Sequence, residues 1–223
     1  MPEQYPTRRS SMRHPDHDYR SPGAYFVTIC AYRGHSIFGQ IVDGKMVLNP
    51  MGEIALACWQ AIPTHFPQVG LDESVIMPNH SHGVLWIDEQ GVEWAVESSE
   101  ALEHGTGTIY PRTGTIYPRT GTIYRARTRI QGDSSRRFGE SVAGSLSVIV
   151  GTFKAAVTRQ AHKDGLIPGG PIWHRNFWDH IIRDAHALDR IRTYIRTNPA
   201  RWVQDQLHPQ AAPNQWNQFW SDE

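Results

Sequence analysis

His80 and His82 stand one residue apart in the stretch VIMPNHSHGVLWI, between two apolar runs and after a Pro-Asn turn signal. Residues i and i+2 of a strand point to one face, so the two imidazoles stand side by side and Ser81 faces away. Neutral imidazole is the commonest protein ligand for metals. Two of them at this spacing can converge on one divalent cation. The plainer reading is a pair of hydrogen-bonded histidines in a turn, and a third donor would separate the two. Tyr194 and Asn198, in YIRTNP, are four residues apart, hence one turn apart on one face of a helix. Asn198 offers a carbonyl oxygen, which suits a hard cation, and it equally suits a helix C-cap before Pro199. Tyr194 offers a hydroxyl, and it equally suits an aromatic at the edge of an apolar stripe.

These residues need elements to hold them. AYFVTICAY, Ala24 to Tyr32, is rich in β-formers and follows Pro22-Gly23, which predicts a strand. KMVLN, after Asp43-Gly44, predicts a second short strand. In PMGEIALACWQAIPTHFP the period changes: Met51, Ile54, Ala55, Cys58, Trp59 and Ile62 recur at helical spacing. DESVIMP and SHGVLWI form the hairpin that carries the histidines. GSLSVIVGTFKAAVTRQAH predicts an amphipathic helix burying Leu146, Ile149, Val150, Phe153 and Val157, with Ser145 or Ser147 as cap. PIWHRNFWDHIIRD reads as partly extended. AHALDRIRTYIRTNP predicts a last helix with Leu188, Ile191 and Ile195 toward the core, ending at Asn198 before Pro199. Hairpin-paired strands with helices packed on them define an antiparallel α+β sandwich.

Residues 1–22 read as a basic flexible arm, with Arg8, Arg9, Arg13 and Arg20 and no apolar periodicity. A single domain over 23–205 follows, interrupted at about 88–143, and 206–223 reads as a loose tail. The interruption contains TGTIYPRTGTIYPRTGTIYRART, a seven-residue repeat from Thr106 to Thr128. Seven is also the coiled-coil period, but Gly and β-branched residues in every unit, with Pro in the first two, oppose a helix. The composition predicts a disordered insertion. The alternative is a Tyr/Arg-rich loop that touches nucleic acid.

Lys and Arg balance Asp and Glu at 22 each, so no overall field announces a nucleic-acid partner, although local patches can still form. Cys30 and Cys58 make neither a disulfide framework nor a C-x-x-C motif, and both read as small core residues. No apolar run is long enough to cross a bilayer, and the N-terminus lacks the apolar core of a signal peptide. The expectation is a cytoplasmic protein with no membrane partner.

The motifs together resemble the single-tyrosine HUH transposases of the insertion-sequence-200-like group, and most closely the REP-associated tyrosine transposases. MPNHSHG is similar to that family's metal-binding motif, SLSVIVGTFKAAVTR to the helix after it, WHRNFWDHIIRD to its aromatic segment, and YIRTNP to its catalytic-tyrosine helix. The likeness runs from about Arg8 to Pro209, without the repeats and the tail. It implies a ferredoxin-like antiparallel sheet with helices packed mainly on one face. It further implies Tyr194 as nucleophile, with His80, His82 and Asn198 holding Mg2+ or Mn2+. Two departures stand out. Ser81 occupies a position that is normally apolar, and Phe177 and Trp178 stand where several relatives have a further tyrosine. On these motifs Tyr194 is then the one plausible nucleophile.

On this resemblance Tyr194 attacks a phosphodiester of single-stranded DNA near a hairpin or palindromic repeat. The products are a 5′-phosphotyrosine and a free 3′-OH. A covalent link conserves the bond energy and allows rejoining without ATP. A phenol with a pKa of about 10 is a poor nucleophile at neutral pH, so a cation that polarises and aligns the phosphate is needed. The donor set does not choose the ion: imidazoles accept Mn2+ or Zn2+, while the amide oxygen favours harder cations. His174, Arg175, Phe177, Trp178, His180 and Arg183 interleave cations with aromatics, which suits phosphates and unstacked bases. The same pattern also describes a core aromatic pair with a solvated basic edge. Arg8, Arg9 and Arg13 would contact a DNA hairpin, as the family likeness suggests. Lys154 either faces the scissile phosphate or is solvated. The protein would act as monomer or homodimer. Two other classes compete: a non-catalytic module that holds single-stranded or hairpin nucleic acid, and a hydrolase in which bound water attacks. The histidine-triad nucleotide hydrolases fit poorly, because the alternation reaches Val84 instead of a third histidine.

Overall fold

The computed structural model describes residues 17–88, 144–167, 169–214 and 217. The arm with Arg8, Arg9 and Arg13, and the seven-residue repeats, lie outside them. The elements in chain order are β1 (Gly23–Cys30), β2 (Gly39–Val42), β3 (Lys45–Leu48), α1 (Pro50–Gln60), α2 (Ile62–His65), β4 (Val69–Ile76), β5 (His80–Ile87), α3 (Leu146–Lys163), β6 (Trp178–Ile182) and α4 (Ala185–Thr197). Four strands form one sheet in the order β4-β5-β1-β6, and every neighbouring pair is antiparallel. Along the chain the sheet is built as β1-α1-β4, then β5-α3-β6. This is a ferredoxin-like α+β fold.

The two faces of the sheet are built differently. Tyr25, Val27 and Ile29 of β1 and Leu85 and Ile87 of β5 point to the face covered by α1 and α3, and they share one core cluster with those helices. Helix α1 starts where Asn49 accepts a hydrogen bond from the Gly52 N–H at 3.0 Å, with Pro50 in the first turn, where its missing N–H costs nothing. Its residues Met51, Ala55 and Trp59 are buried. Trp59 lies directly on the sheet at Gly83, where an added Cβ would collide with its Cζ2. Gly83 is thus the position that lets an indole lie against the strand beside the histidines. Helix α3 presents Leu146, Ile149, Val150, Phe153 and Val157 to the same core, as its periodicity predicts. Each such fully buried large side chain contributes about 1.5–3 kcal/mol.

The opposite face carries α4, set on Ala24, Val84, Trp86 and Ile182 through Leu188 and Ile195. Asp184 caps this helix by accepting from the Ala187 N–H at 2.7 Å. A buried ion pair adds to the apolar contact: Arg192 donates to both oxygens of Asp72, Nε at 2.8 Å and a terminal nitrogen at 2.6 Å. Trp86 Nε1 donates to the same carboxylate at 3.3 Å. A bulge in β4 between Leu71 and Ser74 lets Asp72 and Val75 both reach this face.

The strand expected at KMVLN is β3, but it pairs only with β2, outside the main sheet. Asp43 and Gly44 both have positive φ, 49° and 71°, the geometry of a two-residue hairpin turn. Beyond α4 the chain continues through a 3-10 turn, Pro199–Gln204. The tail does not leave the domain at 206. Leu207 is buried with Cys30 and Trp178, and its carbonyl accepts from Asn79 Nδ2 at 2.7 Å. Among the described residues no helix is long and apolar enough to cross a membrane.

Candidate metal centre and tyrosine site

Strand register decides which side chains surround the histidine pair. His80 is paired with Cys30 and His82 with Thr28, so Thr28, His80 and His82 share the face that carries α4. The two imidazoles converge, with their Nε2 atoms 3.0 Å apart. Ligands about 2.1 Å from one ion and at right angles to each other stand about 3.0 Å apart, so the pair is spaced to share a cation. Each ring is also held at its far nitrogen. His80 Nδ1 lies 2.8 Å from Asn79 Oδ1. Asn79 Nδ2 donates to the carbonyls of Gly34 and Leu207, which fixes the amide orientation. Its oxygen therefore accepts from His80 Nδ1–H, and His80 Nε2 keeps its lone pair. His82 Nδ1 lies 2.9 Å from Thr28 Oγ1, and a hydroxyl can serve as either donor or acceptor. Orientation of a ligating histidine through its other nitrogen is the usual construction of a metal site.

Burial keeps both rings neutral. His80 is fully buried and His82 is 3% exposed. Desolvation pushes the His80 pKa down to about 3. It also holds His82 well below the ordinary imidazole value, with the neighbouring His80 adding to the effect. Neutral imidazole is the form that binds metals.

Tyr194 comes from α4 and is 41% exposed, at the edge of that helix's buried stripe as its phase predicts. Its hydroxyl is 3.2 Å from His82 Nε2, and its ring stands edge-on to Phe26, which stacks on His82. Burial of the hydroxyl raises the phenol's pKa, Asp205 raises it further, and the nearby Asn198 amide opposes both. Asn198 is 3% exposed. Its Nδ2 donates to Asp205 Oδ2 at 2.9 Å, and its Oδ1 is buried with no hydrogen-bond partner among the described residues. A buried carbonyl oxygen lacking a donor is the chemistry a cation satisfies.

Asp205 is the residue the sequence reading missed. His80, His82 and Asp205 bring potential ligand atoms within 4.8 Å of one another, so a carboxylate joins the two imidazoles. Asp205 also accepts from the Leu207 N–H at 2.6 Å, which orients it. Nothing in the spacing of NPARWVQD signals this, because the 3-10 turn after Asn198 must first bend the chain back. Asn79, next to the first histidine, was legible as a neighbour. Thr28 needed the strand register.

Other expectations divide. Lys154 does not reach the histidine and tyrosine cluster. Its ammonium donates to the carbonyls of His174 and Asn176, both at 2.9 Å, and burial lowers its pKa to about 8. Those two bonds pin the loop before β6, which gives Lys154 a loop-holding role. His174 and Trp178 are buried, at 6% and 7%, and stack on each other at 5.8 Å. Phe177 is half-buried beneath Lys154. Arg175, His180 and Arg183 are exposed. Ser81 is 2% exposed and turned to the α1 and α3 face, and its hydroxyl has no hydrogen-bond partner among the described residues.

The fold and site thus define an antiparallel α+β domain in which a buried histidine pair and a carboxylate lie beside a tyrosine, with the Asn198 amide bonded to that carboxylate. No protein-family model matches the chain. Over 200 residues it is 38% identical to an uncharacterized protein of Haemophilus influenzae, spanning 90% of this chain and 93% of that protein. The chain belongs to the family of that Haemophilus protein. Among solved structures it is similar to a REP-associated tyrosine transposase bound to a REP hairpin. The identity is 13% and the TM-score 0.49, over 87% of this chain and 76% of that one. A candidate transposase from Deinococcus radiodurans is similar at 13% identity and a TM-score of 0.39, over 82% and 95% of the two chains.

Proposed function

We propose that the protein is a metal-dependent tyrosine transposase that cleaves and rejoins single-stranded DNA near palindromic repeats. The observation that carries this reading is the Tyr194 hydroxyl 3.2 Å from His82 Nε2, beside a histidine pair spaced for one ion. The motif likeness of MPNHSHG and YIRTNP supplies the reaction class. His80, His82 and the Asn198 oxygen would hold Mg2+ or Mn2+, with Asp205 beside them as a further oxygen donor. When bound, the ion polarises a phosphate oxygen and draws charge from the reacting centre.

The chain's own residues do the rest. Helix α4 presents the phenol, and Phe26 and His82 fix the ring from two sides. The Tyr194 oxygen bonds to phosphorus as the bond from phosphorus to the 3′-oxygen breaks. The phenol proton passes to solvent, and the departing 3′-oxygen takes one up. The 5′-phosphotyrosine keeps the bond energy, so the reverse step can join the same or another 3′-OH. Arg175 and Arg183 remain as exposed cations for the strand, His180 as an exposed ring, and Arg8, Arg9 and Arg13 as candidates for the hairpin. The arrangement favours this over a water-attacking hydrolase because the group facing His82 is a phenol on a rigid helix.

The test is a denaturing gel of end-labelled single strands carrying short palindromes, incubated with Mn2+. Wild type should leave a protein-linked band. Tyr194→Phe removes one oxygen, so it should bind DNA normally and give neither adduct nor cleavage. His80→Ala should lose cleavage through loss of the ion. Cleavage without adduct in the wild type points to a hydrolase, and binding alone to a non-catalytic module. Undiminished adduct in Tyr194→Phe refutes the assignment.

A further inference from the structure

A cleft of about 540 Å³ opens beside Tyr194, with Phe26, Asn198, Arg201, Gln204 and Gln206 among its walls. Its volume falls in the range of about 300–1,000 Å³ typical of pockets for molecules of mononucleotide size. Three features make it more than a surface dent.

The first is its charge. Arg201 is exposed, and its guanidinium forms no ion pair or side-chain hydrogen bond among the described residues. It lies near enough to the phenol of Tyr194 to favour the charged form. Arg192 and Arg196, on the neighbouring helix, are both engaged by acids, Asp72 and Glu73. Arg201 is thus the uncommitted cation at this mouth, and a guanidinium is shaped to grip a phosphate through two N–H groups.

The second is the aromatic wall. Helix α4 covers the Ala24, Val84, Trp86 and Ile182 end of its sheet face. Phe26 lies just beyond that cover and is half-buried. Its register partner on the edge strand is His180, which is exposed. A short aromatic strip therefore leads from His82 through Phe26 to the open edge of β6. Aromatic faces of this kind hold unstacked bases without regard to sequence.

The third is the pair of carboxamides. Gln204 and Gln206 are exposed, and their side chains form no hydrogen bond among the described residues. Carboxamides carry both donor and acceptor and match the edge of a base. Single-stranded nucleic acid is read through stacking of this sort combined with edge hydrogen bonds.

We infer that this cleft seats one unstacked nucleotide next to the bond that Tyr194 attacks, with Arg201 on its phosphate, Phe26 against its base and Gln204 and Gln206 along the base edge. The inference rests on the proposed strand-cleaving role for its choice of ligand. It makes Arg201 and the two glutamines specificity-determining residues of the site, on the segment just after the tyrosine helix.

The experiment uses the full chain and fluorescently labelled single strands, with binding read by anisotropy in EDTA across about 50–300 mM salt. Each phosphate contact to a single strand contributes about 0.7 to the slope of log K against log salt. Arg201→Ala should lower that slope by about 0.7 and weaken binding roughly tenfold at the low-salt end. Arg190→Ala, an exposed cation on α4 away from the cleft, should leave the slope unchanged. Strands with an abasic site moved along them should bind more weakly at one position. In Gln204→Ala/Gln206→Ala the choice among bases at that position should flatten while total affinity changes little. An unaltered slope in Arg201→Ala, or abasic losses spread evenly along the strand, overturns the inference. A wild type that makes no adduct yet shows the slope change and the single-position effect refutes strand transfer and sustains the cleft. A wild type that makes adduct with neither effect does the reverse.

Discussion

Removing the Asp72 carboxylate should unseat the tyrosine helix, and the size of the effect follows from burial. Arg192 and Asp72 are 4% and 5% exposed, and two hydrogen bonds of 2.8 and 2.6 Å join them. Asp72→Ala leaves a guanidinium that cannot shed its proton in a place with almost no water. Breaking such a pair from one side costs about 3–5 kcal/mol. Asp189 lies 3.4 Å from the other terminal nitrogen but is itself mostly solvated, at 72% side-chain exposure. It offers weak compensation, so the expectation sits at the lower end, about 3 kcal/mol. In a domain of this size about 2–4 °C of melting temperature go with each kcal/mol, so the midpoint should fall by about 6–12 °C. Asp72→Leu/Arg192→Met removes both charges and fills the space, and such swaps are often neutral or stabilising. It should recover most of the stability. Urea unfolding followed by circular dichroism, for wild type, Asp72→Leu, Arg192→Met and the double, gives the coupling directly. Tyr194 lies two residues beyond Arg192, so adduct yield should fall further than DNA affinity in Asp72→Ala. A loss under about 1 kcal/mol in Asp72→Ala, well short of the figure for a buried pair, or a double variant no more stable than the single, refutes the argument.

Two shorter predictions concern the histidine pair. Asn79→Ala removes the acceptor that fixes His80, so affinity for Mn2+ measured by calorimetry should drop about 10–100-fold, and an unchanged affinity would count against the site. The second is acid sensitivity. Burial lowers both histidine pKa values, so below about 6.5 the unfolded chain takes up protons that the folded chain refuses. Stability present above that pH is then lost on acidification toward 3, by up to about 1.4 kcal/mol per pH unit for each histidine. Urea midpoints in EDTA at pH 7, 6 and 5 should fall more steeply in wild type than in His80→Asn, and parallel slopes would contradict the assignment.

What the sequence made legible follows from the range of the interactions involved. Local periodicity was enough for α1, α3 and α4, and the i, i+2 rule was enough to put His80 and His82 on one face. The four-residue strand β2, with one Gly and one Gln in Gly39–Val42, carries too little pattern to be seen alone. Asp205 depends on a turn that brings it back to the histidines, and Thr28 on a pairing 54 residues away in sequence. Lys154 shows the limit from the other side. A lysine on a helix reads as solvated or as phosphate-binding, yet its partners are carbonyls 20 and 22 residues further on. The segment WHRNFWDH is ambiguous for a physical reason, because aromatics alternating with cations suit both a strand edge and a base-stacking surface. His174 and Trp178 of this segment are buried, and Arg175 and His180 are exposed.

The site is expensive for the fold in a way that argues for its chemistry. Two imidazoles are almost wholly desolvated, and His80 presents a lone pair toward its neighbour. The Asn198 oxygen is buried with no donor among the described residues, a situation costing about 1–3 kcal/mol for an ordinary acceptor. The phenol is made less acidic by the same burial that positions it. A core built only for stability would replace such a group with apolar side chains, as the opposite face does with Leu85 and Phe153. His80, His82 and Asp205 bring potential ligand atoms within 4.8 Å of one another, and a divalent cation is a partner such a group could hold. The buried salt bridge and the apolar face of α4 then serve one end: they hold the phenol against that cluster while leaving its other side open to the cleft at Arg201.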